Sequence, residues 1–126
     1  MSVREVIFED LRIHSLQHVR SVETTSCSLS SYFTVDTYAN GHSALGARLA
    51  TGLCADLATQ VVTGQAQNGF ALVRNPGHHV GITDVMGLCL HNNVAIAACA
   101  TQAAIAKKVL IVDWDVHHGN GTQEIF

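Results

Sequence analysis

The sequence predicts an α/β fold built on a parallel sheet, and three observations carry that expectation. Phe70-Ala71-Leu72-Val73 and Val109-Leu110-Ile111-Val112 are short, continuous apolar runs, the pattern of strands covered on both faces. Between them, Asn92 or Asn93 can cap a helix through Val94, Ile96, Ala97, Ala100, Ala104 and Ile105, whose alanines allow close backbone packing against a sheet. Strand, helix and strand in that order make a βαβ unit, which is right-handed in nearly all cases and ends both strands at one sheet edge.

The other elements follow from spacing and caps. Behind Ser15, an N-cap residue, Leu16, Val19 and Val22 recur every three residues and predict a short amphipathic helix. Cys27 to His42 shows no sustained period and reads as loop, with a brief extended piece at Tyr32 to Val35. From Ser43, Leu45, Leu49, Leu53, Leu57 and Val61 recur every four residues up to Gly64. That run predicts the longest helix, with its leucines in the core and glycine at its C-terminal stop. Lys107 and Lys108 are expected in the last turn of the alanine-rich helix, where cations oppose the helix dipole.

Composition bounds the partners. The 126 residues suffice for one core, and 48% hydrophobic against 13% charged residues excludes a disordered chain. A net charge of -3 offers no basic field for phosphate backbones, so direct nucleic-acid binding is not expected. No apolar run approaches ~18 residues and Met1 to Asp10 has no signal-type apolar stretch, so no membrane span is expected and the nucleus or cytoplasm is the predicted compartment. Cys27, Cys54, Cys89 and Cys99 show no C-x-x-C spacing and read as reduced thiols.

Ligands of open α/β sheets bind beyond the carboxyl ends of the strands, where this sequence concentrates its unusual residues. Past Val73 runs Arg74-Asn75-Pro76-Gly77-His78-His79, and past Val112 runs Asp113-Trp114-Asp115-Val116-His117-His118-Gly119-Asn120-Gly121. In extended chain Asp113, Asp115 and His117 share one side, and an Asp and a His two residues apart can hold one cation. A catalytic zinc takes about three protein ligands plus an open position, so one is missing, with Asp84 and Asp36 the remaining candidates. His78 and His79 suit proton transfer, with Asp113 the expected partner of the first and Asn120 of the second. Trp114 is expected to pack on the opposite side, His14, His18 and His42 to be surface or cap residues, and His91 has no assigned role.

The segment Gly69 to Phe126 carries Arg74 through His79, Met86-Gly87-Leu88-Cys89-Leu90-His91-Asn92-Asn93 and Val109 through Gln123. It resembles the class II zinc-dependent histone deacetylases, with a plant-like variant at Leu90 to Asn93. Leu11 to Gly64 is more weakly similar to the helical region that precedes these motifs. The resemblance implies an arginase/deacetylase-like three-layer α/β/α fold around a parallel sheet, incomplete at both ends here, with residues 1–126 forming one truncated domain. It implies zinc-dependent hydrolysis of N-acetyl-lysine on histones or other proteins, with acetylated histone tails, other acetyl-lysine proteins and corepressor complexes as partners. Carried over by position, Asp115 and His117 match two of three zinc ligands, and His78 and His79 the acid/base pair. Asp113 and Asn120 match the partners of those histidines, Asp113 also lying near a structural potassium site, while Gly87 and Leu88 match the acyl-lysine channel.

Four departures stand against that pattern. The family's third zinc ligand, an aspartate, and its oxyanion-stabilising tyrosine fall in a later segment, and this chain stops at Phe126. Leu88 replaces the usual channel phenylalanine and Asn75 a proline. Loss of an oxyanion donor alone costs ~10²-fold or more in rate, so this chain by itself is not expected to be an efficient enzyme. The alternatives are a non-catalytic binding or regulatory fragment and an acetylpolyamine-type small-molecule amidohydrolase.

Overall fold

The structure is a computed structural model that describes residues 12–126; the start of the chain, Met1 to Asp10, lies outside the described residues. Helix α1 (Leu16–Thr24) begins at Ser15, whose hydroxyl accepts the His18 N–H at 3.1 Å, and runs into a 3-10 turn at Thr25–Cys27. Strands β1 (Ser31–Tyr32) and β2 (Tyr38–Ala39) form an antiparallel ribbon, Ser31 opposite Ala39 and Tyr32 opposite Tyr38. The extended piece expected at Tyr32 to Val35 is therefore shorter, because the chain turns at once: the Phe33 and Thr34 N–H groups both reach the Thr37 carbonyl, at 2.9 and 3.2 Å. Helices α2 (Ser43–Val62), α3 (Asn93–Ala104) and α4 (Asn120–Ile125) complete the described elements.

The N-cap of helix α2 falls one residue earlier than the expected Ser43. His42 holds the N-cap position without a side-chain bond, and the Ser43 hydroxyl instead accepts the Asn40 N–H at 2.9 Å. Its buried face is not the leucine series: Ala44, Ala47, Ala50, Thr51, Gly52 and Ala55 are buried, whereas Leu45 and Leu49 are exposed. The reason is the partner. Helix α2 packs chiefly on α3, which buries Ala95, Ala97, Ala98 and Ala100, and two small-residue faces let the backbones approach too closely for leucine between them. The alanines of α3 thus serve a helix-helix contact rather than the helix-sheet contact expected of them. Because α3 ends at Ala104, Lys107 and Lys108 lie beyond its last turn.

Neither apolar run joins a ladder. The ribbon is the only sheet among the described residues, and Phe70 and Leu72 are each 87% exposed, Leu110 86%. A strand inside a parallel sheet needs neighbours at both edges and layers on both faces. Here the described residues cover one side only, leaving an open groove of about 620 Å3 between Leu57 and Val61 of α2 and Ala71, Ala106 and Val109. Trp114, expected to pack, is likewise exposed.

The core lies elsewhere, in two apolar clusters. Val22, Ala44, Ala47, Val85 and Leu90 gather around Phe33, and Ile13, Ala95 and Ile96 gather with Cys99 and Ile125. His14, His18 and His91, expected at the surface or without a role, are buried beside them. Burial holds the Cys54, Cys89 and Cys99 thiols above their ordinary range. The contrast between core and runs is measurable by urea unfolding. Leu90→Ala should cost about 2–5 kcal/mol, as buried leucines do, and Leu110→Ala well under about 1 kcal/mol; equal costs would place the second run in the core.

Candidate active site

The segment Asn75 to Ile82 has no regular secondary structure, yet each of its carbonyls accepts a hydrogen bond. The Asn93 side-chain amide donates to the carbonyls of Asn75 at 2.7 Å and Pro76 at 3.2 Å. The Gly77 carbonyl takes the Val80 N–H at 3.1 Å, and the His78 carbonyl takes the Gly121 and Thr122 N–H groups at 3.0 and 3.1 Å. Asn120 Nδ2 reaches the His79 carbonyl at 3.4 Å, and Asn92 Nδ2 reaches the Val80 carbonyl at 3.0 Å. His14 Nδ1 holds the Gly81 carbonyl at 2.8 Å, and the Ser15 N–H holds that of Ile82 at 2.8 Å. Irregular backbone this close to the core needs such partners, since an unpaired buried carbonyl costs about 1–3 kcal/mol.

That backbone presents the paired histidines. Their rings stack obliquely with centroids 4.1 Å apart. His78 Nδ1 donates to Asp113 Oδ2 at 2.9 Å, and His79 Nδ1 donates to Asn120 Oδ1 at 2.7 Å. Bonds to His78 and to the Asp115 N–H hold the Asp113 carboxyl below its usual range. The partners differ in charge, one a carboxylate and the other an amide. Gly121 makes the approach of α4 possible: a Cβ there would overlap the His79 and Val80 backbone.

Asp115 and His117 stand on the same loop with Asp115 Oδ1 3.0 Å from His117 Nδ1. The Asp115 carboxyl also accepts the His117 backbone N–H at 2.8 Å, and these two contacts lower its proton affinity. The His117 ring lies edge-on to His79, centroids 6.0 Å apart. Neither Asp36 nor Asp84 joins them: Asp36 Oδ1 accepts the Thr34 and Thr37 hydroxyls, and Asp84 accepts the Thr83 hydroxyl. Among the described residues no three metal-binding side chains stand together.

Gly87 packs against the His79 ring, and Leu88 follows it in the chain. Both have positive φ, +55° and +63°, and a Cβ on Gly87 would enter the His79 ring. For leucine this conformation costs roughly 1–2 kcal/mol. It is held by the Leu88 N–H bonding to the Thr37 hydroxyl at 2.9 Å and the Asn75 amide bonding to the Leu88 carbonyl at 2.8 Å. Sequence reasoning missed the supporting residues Thr37, Asn93 and His14. The adjacent asparagines were a legible signal only for a helix cap, a role Asn92 fills by accepting the Ala95 N–H at 3.1 Å.

The comparisons with known proteins agree with this architecture. Residues 2–126 match the family model described as the histone deacetylase domain, and the chain belongs to the histone deacetylase family. It is 65% identical over 127 residues to Histone deacetylase 15 of Arabidopsis thaliana, covering all of this chain and 23% of that protein. Identity to human Histone deacetylase 7 is 54% over 86 residues, 68% of this chain and 9% of that protein. Among solved structures, the crystal structure of the HDA15 HD domain superposes with a TM-score of 0.96 at 64% identity, covering 100% of this chain and 36% of that one. The arginase/deacetylase-like α/β fold is therefore that of this chain, present as a partial domain whose apolar runs lack their sheet neighbours among the described residues.

The close approach at Gly121 can be tested by adding one methyl. Gly121→Ala should destabilise the chain by about 1–3 kcal/mol, because backbone must move. Gly46→Ala, in α2 with open space around it, should be neutral or stabilise by up to about 1 kcal/mol. Thermal unfolding of both variants reads the difference.

Proposed function

We propose that this chain supplies part of the active site of a zinc-dependent deacetylase that hydrolyses N-acetyl-lysine on histones or other proteins. The observation that carries the reading is the pairing of two adjacent histidines with unlike partners, Asp113 and Asn120, beside Asp115 and His117. In each pair Nδ1–H is donated, so a neutral ring turns a free Nε2 lone pair away from its partner. We assign His79, on the neutral amide, to take the proton from the attacking water. His78, beside the Asp113 carboxylate, returns a proton to the lysine amine as it leaves.

The donors fit half of a zinc site. Asp115 Oδ1 and His117 Nδ1 are 3.0 Å apart, close to the ~3.3 Å edge of a tetrahedron with bonds of about 2.0–2.1 Å. Zinc held there supplies Lewis acidity toward the acetyl carbonyl and the attacking water. Asp113 lies against the same loop and is the residue we place near a structural potassium ion. Gly87 and Leu88 form one wall of the acyl-lysine channel, narrow because Gly87 admits the His79 ring and Leu88 is pinned by Thr37 and Asn75.

The chain spans only about a third or less of the relatives it matches, so the activity belongs to a whole protein of which these residues are a part. We place that protein in the nucleus or cytoplasm, acting on acetylated histone tails or other acetyl-lysine proteins, in corepressor complexes. No described helix is long and apolar enough to cross a membrane. A non-catalytic regulatory fragment is the alternative reading.

Two measurements separate these readings. Calorimetric zinc titration of the whole protein should show Asp115→Ala and His117→Ala each weakening affinity by about tenfold or more; unchanged affinity in both would reject the metal assignment. His79→Ala should lower kcat on acetyl-lysine peptides by about 10²–10⁴-fold, and faster turnover of acetylpolyamines than of peptides would shift the substrate class.

A further inference from the structure

Three histidines outside the proposed chemistry lie together in the core. His14, His18 and His91 are 2%, 1% and 1% exposed, with ring centroids 4.5 to 5.7 Å apart. They come from three places: just before α1, on α1, and just before α3. The bonds of His14 permit a single protonation state. The Gly81 carbonyl only accepts, so Nδ1 at 2.8 Å carries the hydrogen. The Asn92 backbone N–H only donates, so Nε2 at 3.0 Å keeps its lone pair. A second proton would set one N–H against another in a buried site.

The two groups this ring bridges frame the paired histidines. Gly81 lies two residues beyond His79. Asn92 holds the neighbouring Val80 carbonyl through Nδ2 and reaches Thr122 Oγ1 at 3.1 Å, while Thr122 bonds through its N–H to the His78 carbonyl. His14 therefore closes a ring of hydrogen bonds through Gly81, Val80, Asn92, Thr122 and His78.

We infer that His14 is a positioning residue for His79: as the neutral Nδ1–H tautomer it ties the carbonyl two residues beyond that ring to the cap of α3, and on acidification it lets the segment go. The link to catalysis rests on the reading of His79 given above; the clamp itself does not. Burial foremost, then repulsion from His18 and His91, lowers the His14 pKa from 6.5 to about 3 against the opposing pull of its Gly81 bond. The titratable groups facing the ring are His18 from α1 and His91 from the stretch before α3. On the other side of Gly81, Glu124 of α4 accepts the Ile82 N–H at 3.2 Å. Between those pH values the unfolded chain binds more protons than the folded one. The contribution is thus complete above pH 6.5 and fades as pH falls toward 3.

Nuclear magnetic resonance on the isotope-labelled 126-residue chain tests this. At pH 7, long-range proton-nitrogen correlations should show His14 neutral with hydrogen on Nδ1; a doubly protonated ring or the Nε2–H tautomer would overturn the proposal. His14→Phe removes both bonds, whereas His14→Gln keeps one donor and one acceptor. In the phenylalanine variant the Val80, Gly121 and Thr122 amides should exchange about tenfold faster or more while Gly52 and Ala55 in α2 are unchanged, and glutamine should restore most of that protection. Equal acceleration in α2 would mean a purely structural role and overturn the assignment, as would no acceleration at all. The fall of the unfolding midpoint between pH 6.5 and 3 should flatten in His14→Gln. If the phenylalanine variant does not fold, the His14 tautomer decides alone. Loss of zinc binding or deacetylation by a route other than His79 would leave each of these spectral results unchanged.

Discussion

Everything near the paired histidines depends on one constraint, that the carbonyls from Asn75 to Ile82 be satisfied without a helix or a strand. Regular structure would pair those groups automatically but would also point the histidines in directions dictated by its own period. Here the acceptors are claimed one by one, by side chains of Asn92, Asn93, Asn120 and His14 and by the start of α4. Elements distant in sequence thereby converge on one short loop. The geometry of His78 and His79 is the sum of those attachments, which is how a loop gains the definition that a functional site needs.

The second organising feature is the meeting of two alanine-rich helices. Helices α2 and α3 bring small faces together, and Thr51 of α2 donates to Asn93 of α3 at 3.0 Å inside that contact. The same Asn93 then reaches out to Asn75 and Pro76. Tight packing between the helices is thus transmitted directly to the segment carrying the histidines, with one buried asparagine as the joint.

Much of this was legible in the sequence and some was not, for identifiable reasons. Spacing and caps located α1, α2 and the start of α3 to within a residue or two, but carried α3 past its end at Ala104 to Lys107 and Lys108; the motif residues brought the family into view. Side-chain period misled where helix contact demanded small residues: the leucines of α2 repeat every fourth position, yet Ala44, Ala47 and Ala55 face the core. His14 and His18 read as surface residues because imidazole is polar, and nothing local reveals that backbone groups more than sixty positions away complete them. The loops after the apolar runs do converge, His78 on Asp113 and His79 on Asn120. Among the described residues, side-chain bonds and α4 hold them together, with no ladder between the runs.

Those runs carry a consequence of their own. Phe70 to Val73 and Val109 to Val112 are short, apolar and rich in residues that favour extended chain, with their flanks in solvent, a composition suited to stacking between molecules. Each is bounded by charge: Arg74 follows the first, and Lys107, Lys108 and Asp113 bracket the second. Repeated in register along a growing fibril, those side chains would place like charges a few ångströms apart. In this chain, where both runs lie open, Arg74 and the lysine pair would oppose self-assembly through those segments.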